Sequence, residues 1–136
     1  MAYLILNDRF IQNLILEHAR KPRNYGKLEN AAIYESSNPG CNDAVLIYYK
    51  YVDQKLVFSF EAFGCTLSRA CASILLEEIN RKSIDEIKEY GKGFLEEILG
   101  SKIINSRPKC STLALNTVMC IVHELNMLKP SIYKEL

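Results

Sequence analysis

Apolar positions recur along this chain with two different periods, and the change of period divides it into elements. Phe10, Ile11, Leu14, Ile15 and His18 fall at helical spacing, which predicts a helix from Asp8 to about Ala19, with Asn7 or Asp8 as its cap. Arg20-Lys21-Pro22-Arg23-Asn24-Tyr25-Gly26 ends it, because proline biases its predecessor out of helix and glycine permits a tight turn. A short strand follows from Ile33 to Ser37, closed by Asn38-Pro39-Gly40. Ala44–Val52 is rich in Val, Ile and Tyr, as β-structure favours, and Asp53-Gln54 makes a hairpin turn into Lys55–Phe63. There Phe58, Phe60 and Ala62 alternate with Ser59 and Glu61, the period of a half-buried strand. Two or three antiparallel strands with one wet face follow.

Beyond Gly64-Cys65 the period becomes helical. Leu67, Ala70, Cys71, Ile74, Leu75 and Ile79 form one stripe up to about Asn80. Ser83 caps a short helix, Ile84 to Glu89, stopped by Gly91, and Phe94–Leu99 reads as another, ended by Gly100. Ser101–Lys109 reads as loop. Ser111 then caps a last helix to about Leu128, with Leu115, Val118, Val122 and Leu125 inward, stopped near Pro130. Strands come first and helices after, which is the α+β pattern. No repeat, low-complexity stretch or linker divides the chain, so residues 1–136 are expected to form a single domain.

Composition narrows the function. The chain has 136 residues, 49% of them hydrophobic, enough for a real core, and a net charge of +1. No basic block or basic–aromatic interleaving appears, which argues against nucleic acid as the ligand. Tyr48, Tyr49 and Tyr51 read as strand packing rather than a stacking platform for bases. The apolar runs are shorter than the roughly 20 residues that span a bilayer, which argues against a membrane role. Met1-Ala2-Tyr3-Leu4-Ile5-Leu6 has neither a basic flank nor a small-residue cleavage site, so a signal peptide is rejected and a cytoplasmic location expected. The 5 cysteines should then stay reduced, which favours metal or thiol chemistry over a disulfide framework.

Three of these cysteines sit where an element begins or ends. Cys41 lies in the turn before a strand, Cys65 where a strand gives way to a helix, and Cys110 at the head of the last helix. Such positions let side chains converge on a rigid frame without being packed into a core. A thiolate binds metal or attacks sulfur, and its pKa falls near helix N-termini and cations; Lys109 adjoins Cys110. Asp43, two residues after Cys41, adds a hard oxygen, giving four ligands for a tetrahedral site. The spacings of 24 and 45 residues are not a zinc-finger pattern, and alone they leave open a shared site or separate thiols. Cys71, on the apolar stripe of its helix, and Cys120, among Val118, Met119, Ile121 and Val122, read as packing. His18 reads as a packed or surface histidine and His123 as a surface one. For Arg69, a salt bridge with Asp43 and a reach into solvent both stay open.

The motifs resemble a family. Asn38-Pro39-Gly40-Cys41-Asn42-Asp43 is similar to the Pro-x-Cys-Gly-Asp turn of the IscU/SufU/NifU N-terminal-domain family of iron–sulfur cluster assembly proteins. Phe60–Cys65 resembles its second cysteine motif, Ala70–Ile74 and Lys82–Glu86 the stretches beyond it, and Arg107–Leu113 its third cysteine motif. His18–Gly26 is similar to the family's His-x-x-x-Pro-Arg-Asn-x-Gly. The ordered set covers about residues 8–128 and is specific in combination. The resemblance implies an α+β fold, a small three-stranded antiparallel sheet with helices packed on one side. It implies a scaffold or carrier that accepts sulfur from a cysteine desulfurase, binds iron or a transient [2Fe-2S] cluster, and passes it to apo iron–sulfur client proteins. Cys41, Asp43, Cys65 and Cys110 match the ligand positions, and Cys41 and Cys110 are the candidate persulfide acceptors.

Departures from the family pattern matter. Lys109 stands where IscU members carry histidine, and 105–109 lacks their Leu-Pro-Pro-Val-Lys motif, so a dedicated Hsp70-type chaperone is not expected as a partner. Lysine there is like SufU, in which zinc replaces a cluster, yet the insertion that SufU carries between its second and third cysteines is missing. The alternatives to a scaffold are therefore a zinc-dependent sulfurtransferase and a structural zinc domain. Asn42 replaces the family glycine and tolerates left-handed backbone better than most residues.

Overall fold

The computed structural model describes residues 8–128. The elements run helix α1 (Asp8–Arg20), strand β1 (Ala32–Asn38), strand β2 (Asp43–Val52), strand β3 (Lys55–Phe63), and helices α2 (Thr66–Ile79), α3 (Ile84–Ile87), α4 (Lys92–Leu99), α5 (Ser101–Ser106) and α6 (Pro108–Met127). The readings for Met1–Leu6, Asn7 and Pro130 fall outside the described residues.

The strands form one antiparallel sheet in the order β1-β2-β3, with Asn38 opposite Asp43 at one end and Val52 opposite Lys55 at the other. Asp53 and Gln54 both have positive φ (51° and 66°), the backbone twist that a two-residue hairpin needs to match its strands. Period-2 alternation turns Val45, Ile47, Tyr49, Leu56, Phe58, Phe60 and Ala62 inward, where they share one core with α2 and α6. Among the described residues, no helix is long and apolar enough to cross a membrane.

Helix α2 is buried around most of its circumference because the core lies on one side of it and α1 on the other. One of its internal serines is therefore informative. Ser73 is fully buried, accepts a hydrogen bond from the Arg23 backbone N–H (2.8 Å) and lies 2.8 Å from His18 Nδ1. Asn24 and Gly26 then pair with Phe60 as a short edge beside β3, at 2.9 and 2.8 Å. The His18–Gly26 motif is thus a clasp that fastens α1 to α2 and the sheet. At the far end of α2, the Asn80 side chain bonds both the N–H and the carbonyl of Phe58 (2.9 and 3.0 Å).

Three sequence expectations are corrected. Residues 101–109 are not loop: α5 fills them, anchored by buried Ile104, and α6 begins at Pro108, where a missing N–H costs nothing. Ser111 therefore does not cap α6; its hydroxyl lies inside the first turns and bonds the carbonyls of Arg107 (2.9 Å) and Ile104 (3.1 Å). Cys120 is exposed rather than packed, because the inward stripe of Val118, Ile121, Val122 and Leu125 leaves position 120 on the outer arc of the helix. Cys71 is buried, as its place on the stripe predicts.

Candidate metal centre

Three elements meet at one end of the sheet. After β1, Pro39–Cys41 form a single 3-10 turn and Asn42 takes the left-handed conformation (φ 54°), which swings the chain back so that Asp43 opens β2. Asn tolerates that left-handed backbone better than most residues other than glycine. Asp43 is almost wholly buried (1% exposed). Its Oδ1 accepts a hydrogen bond from the Cys65 backbone N–H at 2.7 Å.

Gly64, the residue between β3 and α2, makes that approach feasible. Its φ is +113°, and a Cβ there would lie 2.5 Å from Asp43 Oδ1 and 2.6 Å from the Asn42 carbonyl oxygen. Any side chain would push the carboxylate away from Cys65.

Cys65 stands at the N-cap of α2 and is half-buried. Partial burial opposes its ionisation, but the N–H groups of Ser68 and Leu67, the Arg107 guanidinium and the Cys110 thiol outweigh burial and hold it below the usual thiol range. Arg107 Nη1 lies 3.5 Å from the Cys65 sulfur. Cys110, in the first turn of α6, is buried. A ligand oxygen of Asp43 and the sulfurs of Cys65 and Cys110 all lie within 4.8 Å of one another. A surface cavity of about 520 Å³, lined by Cys65, Arg107, Lys109 and Cys110 among others, opens onto this group.

The donor set suits a metal on two grounds. Asp43 Oδ2 is buried and has no hydrogen-bond partner among the described residues, a costly state for a carboxylate oxygen that a cation would relieve. Two soft sulfurs and one hard oxygen match zinc or iron. Of the residues proposed from sequence, the structure brings together Asp43, Cys65 and Cys110, while the backbone of Cys41 lies in the adjoining turn and its side chain lies outside what the structure describes.

Arg69 takes neither of the roles left open for it. Its guanidinium bonds the Ala62 carbonyl (3.2 Å) and lies over the Tyr25 ring, 5.6 Å from its centre. Burial, and then the charge of nearby Cys65, push the Cys71 thiol pKa up to about 12, which keeps it protonated. Arg107 was missed as a site residue in the sequence, although a cation three residues before Cys110 was a visible signal.

A model of the NifU-like N terminal domain matches residues 11–128. An iron–sulfur cluster assembly scaffold protein from Archaeoglobus fulgidus, IscU 1, is 31% identical over 76% of this chain and 69% of its own length. The zinc-dependent sulfurtransferase SufU of Bacillus subtilis is 29% identical over 79% of this chain and 85% of its own. In fold, the chain is similar to the N-terminal part of a NifU-like protein from Brucella abortus, with a TM-score of 0.70 over 85% of this chain and 94% of that one at 18% identity.

Proposed function

Since the chain belongs to the NifU-like N-terminal domain family, we propose that it is an iron–sulfur cluster assembly scaffold or carrier, working with a cysteine desulfurase and apo-protein clients in the cytoplasm. The observation that carries this reading is the meeting of Asp43, Cys65 and Cys110 within 4.8 Å around a buried carboxylate oxygen without a partner. Cys41 completes the set as a fourth ligand. The cargo is iron with sulfide, and the thiolates and Asp43 hold it.

Sulfur arrives by thiol–persulfide exchange. A thiolate of this chain attacks the outer sulfur of the desulfurase persulfide; the sulfur–sulfur bond on the desulfurase breaks, its cysteine leaves as thiolate, and the new persulfide stays here. Cys41 and Cys110 are the candidate acceptors. Cys110 lines the cavity through which a partner's cysteine would reach it.

A second reading, a zinc-dependent sulfur acceptor, is favoured by Lys109 in the position where cluster-building members carry histidine. One experiment tests both. Protein purified without oxygen is assayed for metal, then mixed with desulfurase and cysteine, and the sulfur adduct is located by mass spectrometry. Reconstitution with iron and sulfide giving a [2Fe-2S] absorption spectrum supports the scaffold. Stoichiometric zinc with stimulation of the desulfurase supports the acceptor. Metal without a persulfide on any cysteine leaves a structural zinc domain and defeats both.

A further inference from the structure

Asn38 touches both sides of the metal centre without belonging to its donor set. It ends β1 directly opposite Asp43 in the sheet register, three residues before Cys41. Its side-chain Nδ2 crosses to α6 and donates to the carbonyl of Lys109 at 2.8 Å. Lys109 immediately precedes Cys110. One amide therefore ties the turn that carries Cys41 and Asp43 to the helix head that carries Cys110.

The local backbone makes this tie stiff. Pro39 confines its predecessor to extended conformations, and Asn38 sits at φ −114° and ψ 92°. The Lys109 carbonyl belongs to the first turn of α6, which moves as a unit with Cys110 because both are helical. Two other ties complete the frame: Asp43 Oδ1 with the Cys65 N–H, and Arg107 Nη1 with the Cys65 sulfur. The first joins the turn to α2 and the second joins α2 to the α6 head. The Asn38 bond closes the triangle, since it runs from turn to α6 directly.

We propose that Asn38 is a positioning residue that sets the gap between the Asp43 turn and the head of α6, and so governs how tightly the centre holds a metal ion. The proposal rests on the reading of Asp43, Cys65 and Cys110 as ligands. Asn38→Asp keeps the shape, removes the donor and sets a carboxylate oxygen against the Lys109 carbonyl; Asn38→Ala removes the group. Both weaken zinc binding about tenfold, in the range that outer-shell partners of metal sites show. Because the bond is exposed, the unfolding midpoint of the metal-free protein changes little.

The test is competition for zinc against a chromophoric chelator, with wild type, Asn38→Asp, Asn38→Ala, Cys110→Ser and the double variant Asn38→Ala/Cys110→Ser. Metal-free unfolding of each is measured alongside. The expected result is a loss in the single Asn38 variants that disappears once Cys110 is already gone, because Asn38 acts through the placement of that sulfur. Zinc affinity unchanged in both Asn38 variants overturns the proposal while the metal centre stands. So does an equal loss with and without Cys110, or a loss that only tracks a lowered unfolding midpoint. Wild type that takes up no zinc overturns the centre itself, and the proposal with it.

Discussion

The backbone N–H of Cys65 donates to Oδ1 of Asp43 at 2.7 Å, so two potential ligands from different elements are hydrogen-bonded to each other before any ion arrives. That bond orients the carboxylate and leaves Oδ2 buried with no hydrogen-bond partner among the described residues. The metal-free fold carries the cost of that oxygen, and an ion held there as proposed would remove it. On that reading, stability and metal occupancy are coupled.

The coupling is measurable through Asp43→Ala. Wild-type protein should unfold at a higher temperature in the presence of zinc than in its absence. Asp43→Ala should lose most of that increment, because removing one donor weakens binding and each tenfold loss of affinity removes about 1.4 kcal/mol of ligand stabilisation. Thermal unfolding with and without a chelator reads it. An increment that survives the substitution undiminished would exclude Asp43 as a ligand.

Gly64 guards the same contact from the other side. Gly64→Ala places a methyl group 2.5 Å from Asp43 Oδ1 on backbone at φ +113°, where side chains are strained. The expected loss is about 2 kcal/mol or more by urea unfolding, since backbone strain alone costs about 1–3 kcal/mol. Zinc retention should fall with it. Gly40→Ala is the control, because a Cβ there meets nothing within 4 Å and φ is not in the left-handed range.

Where residues announced their environment locally, the sequence was a sound guide. Phe58, Phe60 and Ala62 alternate, Ser83 has its reciprocal partner Glu86, and Asp53-Gln54 sits between two β-rich runs; each placed an element well. The region 101–109 failed because Ser, Asn, Arg and Pro carry loop signals, whereas the helix there is held by tertiary burial of Ile104 and by the Ser111 hydroxyl. Cys120 failed for a related reason: apolar neighbours in sequence do not share a face on a helix. At the site, residue types and motif order identified the candidates. The Asn38–Lys109 bond and the Arg107–Cys65 contact were not legible, because they join residues 71 and 42 positions apart through space.

The cysteines should separate by reactivity. In metal-free native protein, iodoacetamide should label exposed Cys120 and the half-buried Cys65, whose thiol is held below the ordinary range. Cys71, buried and raised to about 12, should react about 100-fold more slowly or not at all until the protein unfolds. Peptide mapping by mass spectrometry after timed quenching gives the rates. Zinc should protect Cys65 and leave Cys120 unaffected. Rapid labelling of Cys71 in the native state would mean that α2 does not stay packed against the core.

The clasp at His18 makes stability depend on pH. Burial, and then the charge of Arg23, lower the His18 pKa from its ordinary 6.5, while Glu77 and Glu17 oppose the shift. The Ser73 hydroxyl accepts from the Arg23 N–H and lies 2.8 Å from His18 Nδ1, where its one proton is available to a neutral imidazole. Just below pH 6.5 the unfolded chain therefore binds more protons at this residue than the folded one. The stabilisation is complete above the unfolded value and declines as pH falls through the lowered folded value. Glu17, itself lowered from 4.5 chiefly by its bond to Arg23, enters only in more acid solution. Urea unfolding at about pH 7.5 and about pH 5.5 should show wild type weaker at the lower pH, the window in which histidine titrates. His18→Gln should flatten that difference. Ser73→Ala, which strands the Arg23 N–H and the His18 ring nitrogen together, should cost about 2 kcal/mol near neutral pH. A wild-type profile that is level across this window would mean that His18 is solvated and that the clasp opens in solution.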